Sequence, residues 1–305
     1  MSACGPAYAA GMARADVLVT VPELAAALER DAVTLLDVRW RLGEPAAAGA
    51  ARYAVAHLPG ARFLDLETVL TRHTGDPRDG RHPLPDVDAL AAGLAAAGVR
   101  VGRPVVVYDE AGSFAAGRAW LVLRWAGLEV RVLDGGIAAW QSAGMPVTDA
   151  PTADAPADSP AAGGRLAVQL GGLPTITADE AAAVGAVGTL VDVRARERFR
   201  GETEPLDPQA GHIPGAVNVP VSGLFAGADT AYPGGMPSEQ VLRERLAPLL
   251  EAAADGRPIG VYCGSGVSAA QAVLALATLG VDVPLYPGSW SAWSNDPSRP
   301  VAIGD

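Results

Sequence analysis

The chain has 305 residues, half of them hydrophobic, a formal net charge of −11 and two cysteines, Cys4 and Cys263. That length suggests two domains, and the acidic balance argues against nucleic-acid binding, which needs a basic face. No apolar run is long enough to span a membrane, and two cysteines so far apart do not make a disulfide framework. The expected setting is therefore a reducing cytoplasm.

Residues 1–16, rich in Ala and Gly with one arginine, are expected to be a disordered leader rather than a signal peptide. Residues 17–19 read as a short strand. Thr20 then has the form of a helix N-cap, with Glu23 three residues on as in a capping box. Thr34-Leu35-Leu36-Asp37-Val38-Arg39 is a buried-type strand running into charge, and His57-Leu58-Pro59-Gly60-Ala61 a turn leading to another strand. Residues 71–85 form a loop rich in Gly, Pro and charge that carries His73 and His82. A helix follows over 87–97, an apolar strand over 104–108 ending at Asp109, a helix over 115–125, a strand over 130–133 and a short helix over 137–143. Strands alternating with helices at this spacing predict an α/β fold, a mainly parallel sheet flanked by helices.

Residues 149–173 shift to Pro, Ala, Gly, Ser and Asp, which marks a linker, with Leu166, Val168 and Leu170 as its docking residues. Beyond it the pattern starts again. Thr177 and Glu180 repeat the capping box, Asp192-Val193-Arg194 repeats Asp37-Val38-Arg39, and Gly211-His212-Ile213-Pro214-Gly215 repeats the turn at His57. Tyr262-Cys263 falls where Tyr108-Asp109 fell, and Trp293 where Trp140 fell. The displacement is 153–155 residues throughout. The chain is a tandem duplication of one α/β unit, expected over 17–148 and 174–305.

The two halves differ at one loop. The first has Asp109-Glu110-Ala111-Gly112-Ser113, the second Cys263-Gly264-Ser265-Gly266-Val267. Cys263 ends a strand, and the text turns helical from Ser268. Backbone N–H groups and the positive end of a helix dipole favour an anion at such a point, whether a thiolate, a persulfide or a bound substrate. Other loop chemistries lack their residues. A phosphate-transfer cysteine loop needs arginine at position 269, which is Ala. No Gly-Lys-Ser/Thr ending is present, and position 266 is Gly where a Cys-x-x-Cys motif needs its second thiol. One half is thus expected to be catalytic and the other supporting. His57 and His212 recur in both halves, as do the Asp–Arg pairs, which points to structural bonds. Trp293 recurs opposite Trp140 as a core residue, and Trp290 is a candidate pocket wall. No metal-ligand spacing and no cofactor motif is present.

These motifs, together with Tyr286-Pro287-Gly288-Ser289-Trp290, resemble the two-domain sulfurtransferases, rhodanese (thiosulfate sulfurtransferase) and 3-mercaptopyruvate sulfurtransferase. The resemblance runs from about residue 17 to 303. It implies two rhodanese-like domains with the second active, and a ping-pong cycle. In that cycle a cysteine takes a sulfane sulfur from a small anionic donor and hands the persulfide sulfur to cyanide, a small thiol or thioredoxin. It makes Cys263 the nucleophile, Ser265 a relay hydroxyl, Arg198 the substrate-anion arginine, and Gly264, Gly266, Val267 and Ser268 the anion-holding loop. Asp65 and His82 resemble first-domain relay partners. The neutral loop resembles the mercaptopyruvate type, whereas the thiosulfate type carries Arg and Lys after the cysteine. Yet Asp207 stands where many mercaptopyruvate enzymes have a second arginine; Arg194 and Arg200 are candidates to compensate, and thiosulfate stays open as donor. A persulfide carrier or redox-sensing protein with little turnover is the alternative of a different class.

Overall fold

A computed structural model describes residues 11–45, 47–111, 113–152, 166–227, 230–232 and 234–305. Residues 1–10 of the expected leader, with Cys4, and residues 153–165 of the expected linker lie outside them. In the first half the strands are β1 (Leu18–Val19), β2 (Thr34–Asp37), β3 (Arg62–Phe63), β4 (Val105–Tyr108) and β5 (Val130–Leu133). Its helices are α1 (Arg14–Val17), α2 (Val21–Glu29), α3 (Ala48–Val55), α4 (Val87–Ala96), α5 (Ala115–Trp125) and α6 (Gly136–Ser142). In the second half the strands are β6 (Thr189–Asp192), β7 (Ala216–Asn218) and β8 (Ile259–Tyr262). Its helices are α7 (Ala178–Val187), α8 (Arg196–Phe199), α9 (Val221–Phe225), α10 (Glu239–Arg245), α11 (Ala247–Ala254), α12 (Val267–Ala277) and α13 (Ser289–Ser294).

The first sheet is parallel throughout, in the order β1-β5-β4-β2-β3. β2 and β4 are buried at every position, as expected of strands covered on both faces. The second sheet runs β7-β6-β8. Leu285 then bridges in parallel to both Val261 and Thr175. It thus repeats the order of the first sheet, with the counterparts of β1 and β5 reduced to single bridges.

The duplicated motifs hold equivalent places. Thr20 and Thr177 cap α2 and α7, each closed by its glutamate. Asp37 pairs with Arg39 at 2.7 Å and Asp192 with Arg194 at 2.6 Å, all four buried. The Tyr108 hydroxyl accepts the N–H of Leu58, and that of Tyr262 accepts the N–H of Ile213, both at 3.1 Å. His57 and His212 each donate Nδ1–H to a backbone carbonyl at 2.8 Å and stack on Tyr53 and Phe199. These histidines fasten turns.

The domains meet along α5 and α12, whose apolar side chains share one continuous core. Gly117 permits this contact, since a Cβ there would lie 2.9 Å from the Gln271 Cα. Leu166 and Leu173 of the expected linker are buried in the same core and Val168 packs on it, whereas Leu170 is exposed. The end of the expected leader departs from expectation. Residues 14–17 form α1, Arg14 donates to the Met236 carbonyl at 3.0 Å, and Val17 is fully buried. Met12 also packs against the core, so the end of this segment is tied to both domains.

Candidate active site

The thiol loop is built by three local choices. β8 delivers Cys263 to the sheet's carboxyl edge. Gly266 then adopts the left-handed conformation, φ 81°, as the N-cap of α12. This turns its N–H back onto the Cys263 Sγ, 3.1 Å away. The third choice lies in α13. Ser289 sits at φ 53°, rare for a residue with a side chain. Its hydroxyl accepts the Cys263 N–H at 3.2 Å and donates to the Tyr286 carbonyl at 3.0 Å. The N–H groups of Trp290 and Ser291 bond the carbonyls of Cys263 and Gly264, both at 2.9 Å. The cysteine is clamped from behind, with the unpaired first-turn N–H groups of α12 beside it.

Cys263 is 1% exposed and lies at the floor of a cleft of about 500 Å³ between the domains. Gly264, Ser265, Val267, Ser268 and Arg198, all expected at the site, line this cleft with it. Gly266 lies beneath, at the turn. The first domain contributes Trp40, Arg41, Arg81 and Phe114. A Cβ on Gly264 would lie 2.9 Å from the Arg81 Nη2 and 3.6 Å from the Arg198 Nη1, so two guanidinium forks flank the residue after the thiol.

These forks are held by carboxylates. Asp207 is ion-paired with Arg81 and with Arg198, the latter at 3.2 Å, and Glu204 pairs with Arg198 at 2.6 Å and Arg194 at 3.2 Å. Burial raises the Asp207 carboxyl above its ordinary range, against the pull of Arg81. The second arginine beside the thiol is thus Arg81, from the other domain. Arg200, one candidate for that place, pairs with Asp305 instead. Arg194, the other, lines the cleft while fixed to Asp192 and Glu204.

The expected relay needs one correction. Asp65 is not brought to His82; its Oδ1 accepts the Thr68 N–H at 2.8 Å and shapes a local turn. Glu67, two residues on, takes the place beside His82. Its Oε1 lies 3.2 Å from the His82 Nε2 and accepts the Trp40 Nε1–H at 2.9 Å. The His82 hydrogen bond holds Glu67 below the ordinary carboxylate range, while burial pushes His82 below the ordinary imidazole range. Trp290 is not a pocket wall either. It is wholly buried under the Arg194 guanidinium, 4.6 Å away, and Trp40 and Phe114 supply the aromatic lining.

Four of these residues escaped the sequence reading, each with a faint signal. Glu67 follows Asp65 at the strand-like spacing of two, and Arg81 adjoins His82. Ser289 replaces Gly136 of the first repeat, which shares its positive φ of 56°. Trp40 directly follows the buried Arg39. In the first domain's own loop, Asp109 stands where Cys263 does. Its Oδ2 accepts the Ala116 N–H at 2.9 Å, so a carboxyl fills that anion cradle, and burial raises it to about 7. Among the described residues no cluster suits a metal ion, and no helix is long and apolar enough to cross a membrane.

The rhodanese-like domain family matches residues 20–143 and again 177–296. The chain belongs to the rhodanese family, as a two-domain sulfurtransferase. It is similar to SseB of Mycobacterium tuberculosis, named a thiosulfate sulfurtransferase, at 46% identity over 96% of this chain and 99% of that one. It is also similar to a protein of Pseudomonas aeruginosa named a 3-mercaptopyruvate sulfurtransferase, at 43% identity over 94% and 98%. The crystal structure of SseA from Escherichia coli, a 3-mercaptopyruvate enzyme by its description, is similar with a TM-score of 0.74 and 30% identity, covering 90% of this chain and 98% of that one. The substrates of this rhodanese-family chain are a small sulfur donor and a thiophilic acceptor.

Proposed function

We propose that Cys263 is the sulfur-carrying nucleophile, with residues 174–305 as the catalytic domain and 17–148 as its partner. The observation that carries this reading is the Gly266 N–H on the Cys263 sulfur, at the floor of a cleft flanked by the forks of Arg81 and Arg198. The Cys263 thiolate attacks the donor's transferable sulfur, the thiol sulfur of 3-mercaptopyruvate or the outer sulfur of thiosulfate. A sulfur–sulfur bond forms, and the bond from that sulfur to the rest of the donor breaks. The electron pair leaves with the donor remnant, as pyruvate enolate, which then takes a proton, or as sulfite. An acceptor then attacks the outer sulfur, and the Cys263 thiolate is released. The loop N–H groups stabilise the sulfur anion in both halves of the cycle. Ser265 lines the cleft where a hydroxyl relay to the donor would act, and Ser268 and Val267 supply the first-turn N–H groups.

The donor is 3-mercaptopyruvate ahead of thiosulfate. A planar carboxylate fits a pair of guanidinium forks through two parallel hydrogen bonds each. The arginines lining the cleft are already matched by carboxylates, so little net positive field remains to draw a compact dianion. Cyanide, a small thiol and thioredoxin are the acceptors. Cys263 is a free, buried thiol, which suits a reducing compartment, and the cytoplasm is the location we assign. Steady-state transfer to cyanide, with kcat/KM compared for the two donors on one preparation, tests the choice. A preference for mercaptopyruvate of roughly tenfold, about 1.4 kcal/mol of transition-state binding, is expected. The reverse preference would assign the chain to thiosulfate.

A further inference from the structure

The cations lining the cleft are all spoken for. Arg41 is paired with Glu110 at 3.0 Å, Arg81 with Asp207, Arg194 with Asp192 and Glu204, and Arg198 with Glu204 and Asp207. His82 lies 3.2 Å from Glu67, and burial pushes it below the ordinary imidazole range. None of these brings an unbalanced positive charge to the sulfur.

Arg118 is different. It projects from α5 of the first domain and is 0% exposed. Its Nη2 donates to three backbone carbonyls, those of Leu70 at 3.1 Å, His82 at 2.9 Å and Pro83 at 3.1 Å. No carboxylate pairs with it among the described residues. Its Nε and Nη1 are buried and make no hydrogen bond. Burying unmet donors of a charged group is costly, and such groups call for an explanation. Nη1 points at the thiol loop, 3.3 Å from where a Cβ on Gly266 would stand. Burial lowers the guanidinium to about 10, against the opposing pull of the Cys263 sulfur and then of Glu67.

We propose that Arg118, supplied across the domain interface, is the positioning cation of the thiol loop. Its Nη1 edge supports the Gly266 turn, and its charge balances the negative charge that the Cys263 sulfur carries as thiolate and as persulfide. Its Nη2 meanwhile anchors the loop that presents Arg81. The supporting domain thereby contributes to the chemistry as well as to the cleft wall. This rests on the reading of Cys263 as the nucleophile.

The test is the second-order rate of Cys263 alkylation by iodoacetamide, a neutral reagent that needs neither arginine fork. It is measured at one pH on the whole chain as wild type, Arg118→Gln and Arg118→Lys. Glutamine can still donate to the carbonyls but carries no charge; lysine keeps the charge without the fork. The proposal expects a fall of about tenfold for Arg118→Gln, with Arg118→Lys within roughly twofold of wild type. An unchanged rate in Arg118→Gln, or an equal fall in both variants, would overturn it, the second result assigning Arg118 to structure alone. If the glutamine variant does not fold, the comparison is made with Arg118→Met and the same outcomes apply. A wild-type chain that gains no sulfur on Cys263 from either donor would instead remove the reading of Cys263 on which the proposal rests.

Discussion

Replacing Gly266 by alanine strikes the loop at the point its geometry depends on. Gly266 lies at φ 81°, and an L-residue in that conformation costs about 1–2 kcal/mol. The added Cβ would stand 2.8 Å from the Pro287 carbonyl oxygen, a backbone atom, and 3.3 Å from the Arg118 Nη1. Forcing a backbone shift in a packed region adds about 1–3 kcal/mol. The expected loss is therefore about 2–5 kcal/mol in urea unfolding, with a fall in kcat because the Gly266 N–H leaves the Cys263 sulfur. Gly264→Ala is the internal control. Its backbone has no positive φ, and its Cβ would crowd the far end of the Arg81 side chain at 2.9 Å while meeting Arg198 at an ordinary 3.6 Å. It should cost about 0.5 kcal/mol or less, and raise the donor KM by displacing Arg81. Equal stability losses in the two variants, or a Gly266→Ala protein with wild-type kcat, would refute this account of the turn.

Arg198→Ala should raise the KM of either anionic donor roughly tenfold or more in steady-state transfer, with a smaller change in kcat, since it removes a charge-assisted pair of hydrogen bonds; an unchanged KM would remove Arg198 from the site. Asp109→Asn probes the first domain's loop. Burial raises the Asp109 carboxyl to about 7, so the folded chain keeps a proton that the unfolded chain gives up near the ordinary carboxylate value. The wild type therefore loses stability as pH rises between about 4 and about 7, and the asparagine variant lacks this loss. Urea midpoints at about pH 5 and pH 8 should show the variant gaining on the wild type at the higher pH; parallel curves would place the Asp109 carboxyl in contact with water.

The duplication and the thiol loop were legible because they are written locally. A strand, two glycines and an Ala-rich helix announce the Cys263 loop, and five landmarks repeating at 153–155 residues announce the two domains. Local pattern also marked His57 and His212 as structural, since they repeat and make the same bond. What stayed illegible depends on where distant segments arrive. Arg81, Trp40 and Arg118 reach the site only through the packing of α5 on α12 and the path of the loop over residues 71–85. Asp65 and Glu67 sit two apart, and only the turn that Asp65 itself makes with Thr68 decides which carboxylate faces His82. Trp290 follows the loop motif in sequence, yet α13 turns it into the core, where its Nε1–H bonds the Gln209 carbonyl at 2.9 Å.

The most direct test of the central claim is the mass of the intact chain, and of its Cys263 peptide, after treatment with 3-mercaptopyruvate in the absence of an acceptor. The account predicts a gain of one sulfur atom, located on Cys263 and absent from Cys4, that is lost again on adding cyanide, and no gain in Cys263→Ser. Sulfur transfer that persists in Cys263→Ser, or added sulfur found only on another residue, would contradict it.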